Sequence, residues 1–150
     1  MGKQTKETVQ GARITTPSII IGLDPGKWAT GFCEIHMDPT MHVVRASRLS
    51  NEELWDRLRD TEPGNLVVCE GFRLYKWSAQ DLVGSDFMEI RNIGRIEEIC
   101  TQTLATLWII PAAAHKQAVS DDFLRLVGAW SRNEHTMDGI RAATYGYLRW

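Results

Sequence analysis

The sequence predicts an α/β fold: a mixed five-stranded sheet, three antiparallel strands and then parallel ones, flanked by helices. Three observations predict it. The stretch from Ser18 to Ile35 sets two β-rich runs around Asp24-Pro25-Gly26, the pattern of a hairpin. Two later apolar runs, Leu66–Cys69 and Leu107–Ile110, each follow residues with helical spacing, which is how crossovers to parallel strands read. The chain has 150 residues, 43% hydrophobic and 24% charged, which suits one globular domain around one core.

Residues 1–17 are polar and aperiodic, with Lys3, Lys6 and Arg13 against Glu7, and read as a flexible tail before a domain at 18–150. Ile19–Ile21 is a β-branched run of the kind buried on both faces, and Asp24 stands at its end. Thr30–Ile35 returns beside it. Asp38-Pro39-Thr40 turns the chain into a third strand, Met41–Ser47, completing an antiparallel meander.

Ser50-Asn51-Glu52-Glu53 is a capping box. The helix it opens, Glu52–Arg59, buries Leu54, Trp55 and Leu58 and stops at Glu62-Pro63-Gly64-Asn65. Leu66–Cys69 is then a buried fourth strand parallel to the first, with Glu70 at its carboxyl end, where ligands of open α/β sheets gather. Residues 71–84 form a loop in which Phe72, Arg73, Tyr75, Lys76 and Trp77 interleave rings with cations; such a loop can stack on unpaired bases and meet phosphates, or fold its rings onto the core.

Asp86 to about Thr106 reads as the longest helix, striped by Phe87, Ile90, Ile93, Ile96 or Glu97, Cys100, Leu104 and Leu107, with Asp86 complementing its dipole. Leu107–Ile110 is the fifth strand, ended by Pro111. Ala112–Val119 is a short helical turn carrying His115 and Lys116. A helix capped near Ser120 or Asp121 buries Phe123, Leu124 and Val127 and ends at Gly128. The last helix starts near Thr136, with Ile140, Ala143, Thr144, Tyr147 and Leu148 inward. Asp138 falls in its first turn, where backbone N–H groups favour an anion, and His135 stands three residues earlier.

Several classes of function are excluded or narrowed. Cys33, Cys69 and Cys100 are widely spaced and odd in number, so they read as buried thiols rather than a disulfide framework or zinc site. A net charge of −2 is not that of a general nucleic-acid coat, so DNA binding would rest on a local patch, a metal or both. No apolar run reaches the length of a membrane span and the start lacks an apolar signal core, so the expected location is the cytoplasm.

An Asp before Pro-Gly is also a common turn initiator, and the triplet alone marks no site. It gains meaning from the other acids. If strands one and four are neighbours and the last helix packs across them, Asp24, Glu70, His135 and Asp138 converge. Three carboxylates without a cation would raise one another's pKa, whereas hard divalent ions such as Mg²⁺ or Mn²⁺ prefer such oxygen ligands. Two ions about 4 Å apart can activate a water and stabilise the leaving oxygen of a phosphodiester.

Gly-Leu-Asp-Pro-Gly on strand one with Thr30-Gly31, Glu70 closing strand four, and His135-Thr136-Met137-Asp138 opening the last helix resemble the RuvC-type Holliday-junction resolvases of the ribonuclease H-like superfamily. The resemblance runs from Ile19 to Trp150. It implies a single ribonuclease H-like nuclease domain and a homodimeric, Mg²⁺-dependent endodeoxyribonuclease. Each subunit would cut one strand of a four-way DNA junction and leave a 5′-phosphate. It implies two Mg²⁺ ions, replaceable by Mn²⁺, on Asp24, Glu70, Asp138 and His135, and DNA contacts from Lys116 and from Phe72, Tyr75 or Trp77. Compact members of this kind are typical of bacteriophages, which would put the protein in a bacterial cytoplasm. Three features depart from the pattern: Gly139 stands where Ala is usual, the chain is somewhat short, and it is not basic.

The same carboxylates would serve a related nuclease cutting branched DNA, RNA or RNA–DNA hybrids. A non-catalytic junction-binding protein on this scaffold would keep an acidic cluster that only costs stability. An actin-like phosphate-binding fold needs a second such domain.

Overall fold

Hydrophobic β-branched residues place strand β1 (Ile19–Pro25) at the centre of a five-stranded sheet, where side chains are covered on both faces. The structure, a computed structural model, describes residues 16–38, 40–72 and 87–150. Beside β1 lie β2 (Ala29–His36), β3 (His42–Ser50), β4 (Leu66–Gly71) and β5 (Thr106–Pro111), in the order β3-β2-β1-β4-β5. The first three strands pair antiparallel, whereas β4 is parallel to β1 and β5 parallel to β4. This is the predicted ribonuclease H-like sheet.

Among the described residues, five helices cover it. On one face α1 (Asn51–Arg59) and α2 (Met88–Thr103) bury Leu54, Leu58, Ile96 and Ile99 against Ile21, Leu23 and Val67. On the other, α3 (Ala112–Ala118), α4 (Asp121–Leu126) and α5 (Glu134–Arg149) close over Ile20, Cys33, Leu66 and Val68. The capping box at Ser50 and Glu53 is present as read. All three cysteines are buried and free, and burial pushes the Cys33 thiol to about 12 and that of Cys100 to about 11, which leaves them unreactive. Among the described residues, no helix is long and apolar enough to cross a membrane.

Several elements differ from the reading of the sequence. β3 runs to Ser50, so the N-cap of α1 is also the last strand residue. Helix α2 stops at Thr103, because Leu104 turns into the left-handed region at φ 59° and leaves its side chain 71% exposed. Its buried face is Asn92, Ile96, Ile99 and Cys100, rotated from the stripe through Ile90 and Leu104. At 16 residues α2 is matched in length by α5. In α4 Leu124 is buried, but Val127 lies beyond the helix end and is 43% exposed, while Ala129 after it is buried.

Helix α5 begins two residues early, with Asn133 as N-cap accepting from the Thr136 N–H at 3.0 Å. Asp138 is therefore in the second turn, beyond the free N–H groups. Tyr147 and Leu148 are exposed, because the helix meets the sheet through Gly139, Ala142, Ala143 and Gly146 instead. Of the expected tail, 1–15 lie outside the described residues, and Pro17 is buried.

Candidate metal and nucleic-acid site

Parallel pairing of β1 with β4 puts the two strands' carboxyl ends side by side, and each carries its acid there. Leu23 pairs with Cys69, so Asp24 and Glu70 follow on adjacent strands. Both line one cavity of about 190 Å³ together with Pro25, Gly71, Phe72, Glu89, Ile93 and Ala112. The Phe72 ring packs edge-on to Phe87, with centroids 5.9 Å apart. Arg73, Tyr75, Lys76 and Trp77 lie outside the described residues.

Helix α5 supplies the other two residues. The His135 ring reaches Asp24, with Nδ1 2.7 Å from Oδ2. Asp138 is buried and meets cations on both oxygens: Lys116 Nζ at 2.8 Å and Arg141 Nη1 at 2.5 Å. Arg141 reaches Asp121 with its other terminal nitrogen, tying α5 to α4. The hydrogen bond to Asp138 raises the Lys116 pKa, so the ammonium is held charged.

Asp24 feels the gathering most. Burial pushes its carboxyl above the ordinary value, the nearby Glu70 and Asp138 charges push the same way, and the His135 hydrogen bond only partly opposes them. An acid held like this gains from a cation at its oxygens.

Two further residues belong to the site. His115, from α3, is fully buried, and its Nε2 lies 2.6 Å from Glu70 Oε2. Asn92, from α2, donates from Nδ2 to the Gly26 carbonyl at 2.8 Å and so fixes the turn after Asp24. The sequence carried a usable signal for His115: Glu70 pairs with Ile110 across β4 and β5, and α3 starts two residues later, directly above that strand end. For Asn92, helical spacing gave no sign of its partner, whereas Asp138 and Arg141 stand three residues apart on α5, a spacing at which helical side chains meet.

No group of three or more His, Cys, Asp or Glu side chains among the described residues is drawn together as a ready metal cage. Magnesium keeps several waters and binds through one or two carboxylates plus substrate phosphates. Asp24 and Glu70 across one small cavity fit such an ion. Both Asp138 oxygens are already engaged, one by Lys116 and one by Arg141.

No protein-family model matches the chain, and no curated protein matches its sequence. Solved structures do match. A structure described as T. thermophilus RuvC in complex with Holliday junction substrate aligns at TM-score 0.65 over 87% of this chain and 94% of that one, with 15% identity. This chain has the RuvC fold. A second Thermus thermophilus RuvC structure aligns at TM-score 0.61 over 87% of this chain and 93% of that one, with 13% identity. The likeness to RuvC is one of fold. The sheet order and the flanking helices are what the two share across nearly their whole lengths.

Proposed function

We propose that the protein is a Mg²⁺-dependent endodeoxyribonuclease that resolves four-way DNA junctions as a homodimer, each subunit hydrolysing one phosphodiester. The observation that carries this reading is the pair Asp24 and Glu70 at the carboxyl ends of adjacent parallel strands, sharing one cavity on the RuvC fold. The neighbour solved with a Holliday junction substrate supports the choice of DNA.

Asp24 and Glu70 would hold the metal, with Asp138 joining them. When bound, Mg²⁺ would activate a water and neutralise charge on the phosphate. The chain's own residues do the rest. His135 holds the Asp24 carboxylate in a fixed orientation through Nδ1. Lys116 and Arg141 hold the two Asp138 oxygens until a ligand competes for them, and Lys116, partly exposed, can then meet a phosphate oxygen. Phe72 offers a ring at the cavity mouth for an unstacked base. In the hydrolysis, the water oxygen bonds to phosphorus and the P–O3′ bond breaks, leaving a 5′-phosphate and a 3′-hydroxyl.

The test is cleavage of a labelled four-way junction in Mg²⁺ beside matched linear duplex, flap and RNA–DNA hybrid. Paired symmetric nicks confined to the junction are expected. Preferential cutting of hybrid or flap would retain the nuclease and overturn junction resolution.

A further inference from the structure

His115 occupies an unusual position for a histidine. Its side chain is 0% exposed, enclosed between α3 and the end of β4, and Nε2 lies 2.6 Å from Glu70 Oε2. Its other ring nitrogen, Nδ1, is buried without any hydrogen-bond partner. We propose that His115 is a positioning residue for metal binding: it donates from Nε2–H to Glu70 and fixes the plane of that carboxylate. The proposal rests on the reading of Glu70 as a metal ligand.

Hydrogen-bond accounting assigns the tautomer. With the hydrogen on Nδ1, a buried N–H would have no acceptor, and the Nε2 lone pair would face a carboxylate oxygen at 2.6 Å. With the hydrogen on Nε2, the short contact becomes a hydrogen bond to an anion, and the partnerless nitrogen is a bare acceptor, the cheaper of the two orphans.

Pinning Oε2 also fixes where the second Glu70 oxygen stands relative to Asp24 across the cavity. Magnesium demands near-ideal octahedral geometry, so a carboxylate that swings would bind it poorly. Outer-shell hydrogen bonds of this kind orient metal-binding groups. A leucine or methionine in this enclosed place would pack without leaving a polar atom unpaired, so packing alone does not account for an imidazole. The contact with Glu70 does.

The experiment compares Mn²⁺ binding by the full-length wild type, H115L, H115Q and E70Q, without DNA, by titration calorimetry. Roughly 10- to 100-fold weaker binding is expected for H115L, with most of it restored in H115Q, whose amide can donate to Glu70. Wild-type protein supplies a measurement that needs no variant to fold: the ¹⁵N spectrum of His115 is expected to report the Nε2–H tautomer and to shift on adding Mg²⁺. Wild-type affinity in a folded H115L, or an Nδ1–H ring, would overturn the proposal. Absence of Mn²⁺ binding by the wild type would instead defeat the metal reading itself, and the proposal with it.

Discussion

Gly31 lies directly beneath the His135 carbonyl: a β-carbon at Gly31 would sit 1.7 Å from that oxygen and 2.3 Å from its carbon. Gly31 is also the cross-strand partner of Asp24. One missing side chain therefore lets α5 descend onto the sheet at the point where its first turn must meet the carboxylate, and His135 reaches Asp24 as a result. Gly31→Ala has no flexible neighbour to displace, only backbone. The expected outcome is a destabilisation of about 3 kcal/mol, read as a lower Tm in thermal denaturation. Cleavage should be lost even where the variant stays folded, because His135 and Asp138 move together. Unchanged Tm and activity would mean that α5 is not seated as described.

Asp24 sets function against stability. Its folded-state pKa is raised above 3.8, mainly by burial, so the folded protein binds this proton more tightly than the unfolded chain does. Stability then declines as pH rises above that ordinary value, and the ionised carboxylate opposes folding at neutral pH. Asp24→Asn removes the buried charge and keeps an oxygen for His135 to donate to. In metal-free buffer at pH 7 its Tm should exceed that of the wild type by about 3 °C, with the gap closing as pH falls towards 4. The same variant should bind a four-way junction and leave it uncut. Cleavage at the wild-type rate would remove Asp24 from the site.

The sheet was legible because strand runs, turn residues and the capping box at Ser50 are local signals, and each agrees with the final topology. The acids at strand ends were legible for the same reason, since strand direction alone decides which ends adjoin. Helix faces were less so. In α2 apolar residues occur at more positions than one face can bury, and Ile90 and Leu104 lost to Asn92 and Ile99 once the tilt of the helix was set by Ile21 and Leu23. In α5 the contact is made by glycine and alanine, which hydrophobic periodicity undervalues, while Tyr147 and Leu148 draw the eye to the wrong side. The Lys116 partner of Asp138 was hidden because it is distant in sequence, whereas Arg141 stands three residues further along α5, a legible spacing that hydrophobic periodicity passes over.

Away from the site, Glu34 on β2 is buried between His36 and Arg57. Burial pushes its carboxyl up, but hydrogen bonds from His36 and Arg57 outweigh that and hold it below its ordinary 4.5. The stability this contributes is present above 4.5 and is lost as pH falls through the lowered value. Arg57 donates from Nε to Glu34 Oε2 at 2.9 Å, and its Nη2 lies 2.8 Å from the same oxygen. Arg57→Met should cost about 2 kcal/mol at pH 7, less than a fully buried pair because Arg57 keeps some contact with water. The loss should shrink in acid, where Glu34 is neutral in both proteins. A pH-independent loss would assign the effect to packing of the arginine stem.

Gly139 and Gly94 are both helical glycines, yet their replacement by alanine should act in opposite directions. A β-carbon at Gly139 would meet the Gly31 carbonyl carbon and oxygen at 2.8 Å and the Phe32 nitrogen at 2.9 Å, all of them main-chain atoms fixed in the sheet. This accounts for glycine after Asp138: the helix backbone lies too close to β2 for any side chain. Gly94, on the exposed side of α2, has nothing within 4 Å of the added carbon. There the only change is a better helix former with less freedom in the unfolded chain, worth up to about 1 kcal/mol. Thermal denaturation of the two single variants should show Gly94→Ala above the wild type by about 3 °C and Gly139→Ala well below it, with cleavage intact in the first and impaired in the second. If Gly139→Ala melts with the wild type and still cuts, α5 sits further from β2 than the close approach of Gly139 to Gly31 requires.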